Sequence, residues 1–182
     1  MPKRCFWAPE NDPVYLEYHD TEWGVPCHDD AKLYEMLILE SFQAGLSWAC
    51  VLHKREAFRR AYDGFDVTKV AGYDAVQQER LMNDPGIIRN RLKIRASVLN
   101  SIVFLQIQKE FGSFDRYLWG FTDGKSIRED CRLRTTSPLS DRISADLKRR
   151  GMAFVGSTVI YSYLQAVGVL AAHEEGCFCC RD

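Results

Sequence analysis

Residues 147–165 read LKRRGMAFVGSTVIYSYLQ. Two helices meet here across a short glycine-bearing hairpin. The first helix comes from DRISADLKRR (141–150), for which Ser140 is the cap candidate. Gly151 stands where a helix C-terminus wants a left-handed residue. FVG (154–156) then leads into a last helix from Ser157 to about Val167. Gly156, Ser157 and Thr158 lie at its start, where free backbone N–H groups and the helix dipole favour an anion such as phosphate. Lys148, Arg149 and Arg150 precede the hairpin, and Arg89, Arg91, Lys93 and Arg95 form a second basic run. The plainer reading is a capping glycine between solvated charged faces.

Helical spacing continues outward from this hairpin through most of the chain. DDAKLYEMLILESFQ (29–43) offers Asp29 and Asp30 as caps and puts Leu33, Met36 and Leu37 on one stripe. After Gly45, Ser47 caps a second helix with Trp48, Val51, Leu52 and Phe58 at helical spacing. YDAVQQERLM (73–82) is a shorter helix, stopped by Asn83, Asp84, Pro85 and Gly86. The longest helix is expected from about Arg89 to Phe111, with Ile94, Val98, Ile102 and Leu105 turned inward. No segment alternates strictly, as a half-buried strand would. The pattern predicts an all-α fold.

With 182 residues, 46% apolar and 27% charged, the chain suits one globular domain with a sizeable core. No apolar run reaches the ~18 residues that a membrane span needs. The start, MPKRCFWAPENDP, has basic residues with no apolar stretch behind them, so no secretion signal is expected. Seven cysteines, an odd number, then read as metal ligands plus free thiols rather than a disulfide framework. A cytoplasmic monomer is expected. The net charge of −1 neither favours nor excludes nucleic acid, so any basic surface must be local.

Glu40 continues the stripe of Leu33, Met36 and Leu37, so the helix should carry a carboxylate inward. Burying it is costly unless a donor or a cavity receives it. One reading is a salt-bridged or capping glutamate at a helix end. The other comes from its company: Trp48 lies just downstream, Tyr18 and Trp23 lie in YHDTEWG (18–24), and Trp7 adds a further ring. Large rings around one inward carboxylate could hold a flat, electron-poor heterocycle, the acid accepting its N–H groups. For any one ring alone, core packing is the simpler account.

AAHEEGCFCC (171–180) places His173 and Cys177 four apart, the spacing of two metal ligands on one helical turn. Cys5 and His19 near the other end would complete a Cys₂His₂ set, a closed arrangement that suits one structural zinc ion. Such a site would tie the first part of the chain to the last, where domains tend to fray. Cys179 and Cys180 are rival ligands. An iron–sulfur cluster usually wants four thiolates at short spacing, which CFCC with one distant cysteine does not supply. The alternative is a surface histidine beside unpaired thiols.

Taken together, RCFW (4–7), DPVYLEYHDTEWGVP (12–26), KLYEMLILESFQAGLSW (32–48), GIIRNRLKI (86–94), LKRRGMAFVGSTVIYSYLQAVG (147–168) and HEEGC (173–177) resemble the 3-methyladenine DNA glycosylase I family. The likeness covers nearly the whole chain; YHDTEWG and LESFQAGLSW together are its most specific part. It implies a helix-hairpin-helix glycosylase fold over 1–182, with that element at about 141–168. The implied activity is hydrolysis of the N-glycosidic bond of 3-methyladenine in alkylated double-stranded DNA, releasing free base and leaving an abasic site.

By position, the resemblance makes Glu40 the base-reading carboxylate. Tyr18 and Trp48 line the pocket, with Trp7 and Trp23 beside them, and zinc is held by Cys5, His19, His173 and Cys177. Gly45 and Leu46 resemble the family's plug for the gap left in the duplex, and Gly156, Ser157 and Thr158 its phosphate-gripping hairpin. Thr158 stands where superfamily members with lyase activity carry a lysine, so no Schiff base is expected. Glu174 and Glu175 are expected to face solvent. Ser41 and Phe42 depart from the small or amide residues of many relatives, which bears on the pocket wall. A non-catalytic, zinc-stabilised module that holds damaged or abasic DNA is the alternative function.

Overall fold

The computed structural model of the protein describes residues 3–129, 132 and 134–180, and among them ten α-helices and one pair of two-residue strands. Helix α1 (Pro13–Thr21) starts on Asp12, whose carboxylate accepts from Tyr15 N, with Pro13 where a missing N–H costs nothing. Helix α2 (Asp30–Gln43) starts on the expected cap, Asp29. From Leu33 to Phe42 it is buried nearly all round, which marks it as the central helix. Leu33, Leu37, Ile38 and Leu39 are fully buried, each contributing ~1.5–3 kcal/mol. Together they outweigh the few kcal/mol needed to take the neutral carboxyl of Glu40 inside with them.

Helix α3 (Trp48–Leu52) begins on Ser47, as the sequence suggests, but it does not continue to Phe58. The chain breaks at His53 and Lys54 and restarts as α4 (Arg55–Ala61). Two tethers hold the break: His53 Nε2 lies 2.8 Å from the Asp12 carboxylate, and Lys54 Nζ donates to Gly86 O at 3.3 Å. A short 3₁₀ turn (Asp63–Phe65), α5 (Val67–Ala71) and α6 (Ala75–Met82) follow, α6 opened by a capping box of Asp74 and Gln77.

The longest helix, α7 (Arg91–Phe111), corrects the sequence reading in one respect. Ile102 is 40% exposed, and the buried face instead carries Lys93, Ser97, Asn100, Ser101, Phe104 and Ile107. Small hydroxyls sit where tyrosines come in: Ser97 Oγ is 3.1 Å from Tyr62 Oη, and Ser101 Oγ is 2.6 Å from Tyr34 Oη. Helix α8 (Phe114–Gly120) follows after Gly112, and Asp30 of α2 accepts from Phe114 N and Asp115 N at its start.

Helix α9 (Pro138–Arg149) also starts earlier than expected. Ser137 is the cap, and Ser140 is its third-position partner in a capping box. Gly151 adopts the expected left-handed conformation, φ +105°. Helix α10 (Ser157–Ala166) packs on α2, where Tyr163 Oη donates to Leu33 O at 3.1 Å. Beyond it, Leu170–Ala171 pairs in parallel with Ile127–Arg128, the one strand pair in the described residues. No described helix is long and apolar enough to cross a membrane.

The segment after α1 crosses the end of α10. Gly24 N donates to Gln165 O at 3.1 Å and Cys27 N to Val167 O at 3.0 Å. Gly168, with φ +75°, makes this crossing possible: a Cβ there would lie 2.4 Å from backbone atoms of Val25 and Pro26. Both strain and collision oppose any side chain at this point. Gly168→Ala is therefore expected to lower the melting temperature by roughly 10 °C or more, the scale of a severe backbone or packing defect. Thermal melts followed by circular dichroism check this, and an unshifted transition contradicts the crossing.

Candidate functional site

Helices α1, α2, α3 and α10, with the segments flanking α1, line an open-mouthed cavity of about 200 Å³. All five residues predicted for a base pocket are on its wall: Tyr18, Glu40, Trp48, Trp7 and Trp23. Pockets for drug-sized ligands run to ~300–1,000 Å³, so this volume suits one flat ring system. Glu40 is 3% exposed and has no hydrogen-bond or ion-pair partner among the described residues. Burial alone raises its pKa to about 8. Burial thus favours the protonated acid near neutral pH, and a positive group beside it favours the ionised form.

The rings differ in their duties. Tyr18 and Trp48 have centroids 5.3 Å apart and planes tilted by 44°. A heterocycle sandwiched between them needs ~7 Å, two contacts of about 3.5 Å, so the two rings form a corner rather than an open slot. Trp48 Nε1–H is buried with no hydrogen-bond partner among the described residues, and such a donor gains from any acceptor brought to it. Burial pushes the Tyr18 phenol well above its ordinary pKa, and Tyr15 up to about 12, with Glu40 adding to both. Both phenols therefore stay neutral donors.

The cavity also has walls the sequence reading missed: Phe6, Tyr15, Gln43, Ser162 and Gln165. Spacing could have revealed two of them, since Gln43 stands three residues after Glu40 and Tyr15 three before Tyr18. Ser162 and Gln165 share a face of α10, but no local pattern relates that helix to α2. Ser41 and Phe42 are not on the wall. Ser41 Oγ donates to Leu37 O, and Phe42 packs edge-on against Phe58 and Tyr62 in the core. Their departure from the family pattern thus falls outside the cavity.

Behind the tryptophans, Cys5, His19, His173 and Cys177 converge with all four ligand atoms within 4.8 Å of one another, each residue buried. The Sγ–N separations fit a tetrahedral zinc: Cys5 to His173 Nδ1 is 3.5 Å, Cys177 to His173 Nδ1 is 3.6 Å, and Cys177 to His19 Nε2 is 3.7 Å. Bond lengths of ~2.3 Å to sulfur and ~2.05 Å to nitrogen imply about 3.6 Å between such ligands. The other ring nitrogens are held from behind, His19 Nδ1 by Asp20 Oδ1 at 2.8 Å and His173 Nε2 by Trp23 O at 2.9 Å.

Of the rival ligands, Cys179 forms a three-membered, less buried group with His19 and Asp20, and Cys180 joins neither. The cluster and the cavity share a wall. Trp7 lies 5.1 Å from the His19 ring and 4.6 Å from Trp23, which lies 4.6 Å from the His173 ring. Glu174, expected in solvent, folds back instead: its Oε2 accepts from Phe6 N at 3.0 Å, while Glu175 is exposed.

Gly45 and Leu46 form the turn after α2, Gly45 at φ +78° and Leu46 39% exposed. Gly156 caps α10 with no side-chain bond, and Thr158 is exposed. The Ser157 hydroxyl already donates to Asp141 Oδ1 at 2.5 Å, so an anion here meets backbone N–H groups and Thr158. The basic runs are less available than their sequence suggests. Arg91 pairs with Glu79, Arg149 with Asp146, and Arg150 with Glu110 and Asp146. Lys93 is buried, which leaves Lys148, Arg89 and Arg95 both exposed and without an ion pair among the described residues.

Residues 7–180 match the methyladenine glycosylase family. The chain is 43% identical over 184 residues to DNA-3-methyladenine glycosylase 1 of Escherichia coli strain K12, covering 97% of this chain and 96% of that protein. It is 38% identical to the DNA-3-methyladenine glycosylase of Haemophilus influenzae, with 98% of each covered. Among solved structures, a tyrosine-to-phenylalanine variant of 3-methyladenine DNA glycosylase I in complex with 3-methyladenine superposes with a TM-score of 0.94, at 36% identity and 98% coverage of both chains.

Proposed function

The chain belongs to the methyladenine glycosylase family, and on that premise we propose that it excises 3-methyladenine from alkylated double-stranded DNA. The products are free base and an abasic site. The observation that carries this reading is Glu40, a buried carboxyl without a partner among the described residues, on the wall of a ring-lined cavity sized for one heterocycle.

Adenine methylated at N3 is a cation in the nucleotide, so its C1′–N9 bond is already weak. When that bond breaks, its electron pair stays with the base, which leaves neutral. Water then adds to C1′ and gives a proton to solvent. Such a reaction needs neither a strong acid nor a protein nucleophile, and Glu40 is the one carboxylate on the described cavity wall. The enzyme must extract the nucleotide from the stack, at a cost of a few kcal/mol that is smallest for damaged bases. It must also prefer the positive purine. The cation lowers the pKa of Glu40, its proton passes to solvent, and the ionised form accepts the adenine-type N–H edge and offsets its charge. Aromatic faces of Tyr18 and Trp48 add to that preference, with Trp7 and Trp23 behind them. DNA phosphates stabilise the sugar cation.

Cys5, His19, His173 and Cys177 would hold one structural zinc ion as a closed four-ligand set, and it would fix the wall shared with the cavity. The α9–α10 pair is a helix-hairpin-helix element whose Gly156, Ser157 and Thr158 grip the DNA backbone. Gly45 and Leu46 fill the gap left by the extracted nucleotide. The whole chain, 1–182, works as one domain and as a monomer, with the DNA in the cytoplasm. Thr158 offers no amine, so no lyase step follows.

Chromatography of bases released from methylated DNA by the purified protein tests this reading. Release of 3-methyladenine is expected. Tight binding to abasic DNA without release of any base would make the protein the non-catalytic alternative.

A further inference from the structure

Lys93 belongs to the second basic run, yet it is only 7% exposed and does not face solvent. Its Nζ donates to two carbonyls at the end of α2, Phe42 O at 2.7 Å and Ala44 O at 2.6 Å. The last carbonyls of a helix lack partners within it and form the negative end of its dipole, so an ammonium is well received there. The Phe154 ring lies 6.0 Å from Nζ, and no carboxylate pairs with it among the described residues. Desolvating an ammonium is costly. A methionine would fill the same space without that cost, so the charge has a task beyond packing.

The two carbonyls bracket Gln43, which lines the cavity beside Glu40. Gln43 closes the turn that follows: its Nε2 donates to Leu46 O at 2.9 Å, and its own carbonyl accepts from Leu46 N at 2.7 Å. Seven residues along the same face of α7, Asn100 holds the α9–α10 turn, bonding Ala153 N and Ala153 O at 2.9 Å each. One face of one helix thus anchors both surface turns.

We propose that Lys93 is a positioning residue for base extraction. By clamping Phe42 O and Ala44 O it holds the Gln43–Leu46 turn so that Leu46 can occupy the space of the extracted nucleotide while Gln43 stays on the cavity wall. This rests on the reading of Gly45 and Leu46 as the duplex plug.

The test is a double-mutant cycle on the full chain, using Lys93→Met, Leu46→Ala and the pair. Affinity for a duplex with a stable abasic-site analogue and single-turnover excision are both measured. Each single change is expected to weaken binding roughly tenfold, the scale of a lost charge-assisted bond or buried contact. Because both act through one turn, the double variant should lose no more than about threefold beyond the worse single. The salt dependence of binding should keep its slope, since Lys93 contacts no phosphate; a slope reduced by about one overturns the proposal. A roughly hundredfold, additive loss in the double variant also overturns it. So does wild-type affinity in Lys93→Met beside an impaired Leu46→Ala, which leaves the plug standing. An unimpaired Leu46→Ala removes the plug, and the clamp with it. If Lys93→Met does not fold, Lys93→Gln, which keeps a donor, enters the same cycle.

Discussion

Glu40→Gln is expected to slow excision of 3-methyladenine by about 10–100-fold, the value of one charge-assisted hydrogen bond in the transition state. The same change should raise the melting temperature by roughly 10 °C or more at pH 8 and above. The two effects share a cause. Burial raises the Glu40 carboxyl from its ordinary 4.5 to about 8. Between those values the folded chain keeps a proton that the unfolded chain has released, so stability falls as pH rises through this window. The loss is complete above about pH 8 and absent below about pH 4.5. Glutamine does not ionise and escapes it. Melting temperatures of the two proteins should therefore converge at pH 4 and separate progressively toward pH 8; parallel curves contradict the assignment. In the wild type, kcat/KM should climb with pH and level off above about 8, as the base-accepting carboxylate becomes populated. The glutamine variant should show no such rise.

The second large effect concerns the buried cluster. Cys5→Ala combined with His173→Ala is expected to abolish zinc binding and lower the melting temperature by roughly 10 °C or more, since structural zinc contributes directly to folding. Elemental analysis should give one zinc per wild-type chain and none in the double variant. Trp7 and Trp23 touch both the cluster and the cavity, so affinity for the free base should fall too. Full zinc content in the double variant contradicts the ligand assignment.

Much of this site was legible in the sequence because helices impose a period. Glu40 stood out as a carboxylate on an apolar stripe, and the structure buries it there. The cysteine and histidine residues were recognisable by chemistry, although about 150 residues of intervening chain hid their convergence. The buried face of α7 was not legible. Ser97, Asn100 and Ser101 read as polar, yet each is buried against a tyrosine hydroxyl or a backbone turn. Hydrophobic periodicity therefore pointed to Ile102, on the wrong side. Lys93 misled in the same way, as a charge that looks outward in sequence and caps a helix end in space. The break between α3 and α4 has no glycine or proline to announce it; the bonds that fix it come from Asp12 and Gly86.

The most direct measurement is a crystal structure of the protein soaked with 3-methyladenine. The purine should lie in the cavity against Tyr18 and Trp48, with an N–H within hydrogen-bond distance of a Glu40 oxygen. A base bound elsewhere, or one seated in the cavity with its polar edge turned away from Glu40, would contradict the account.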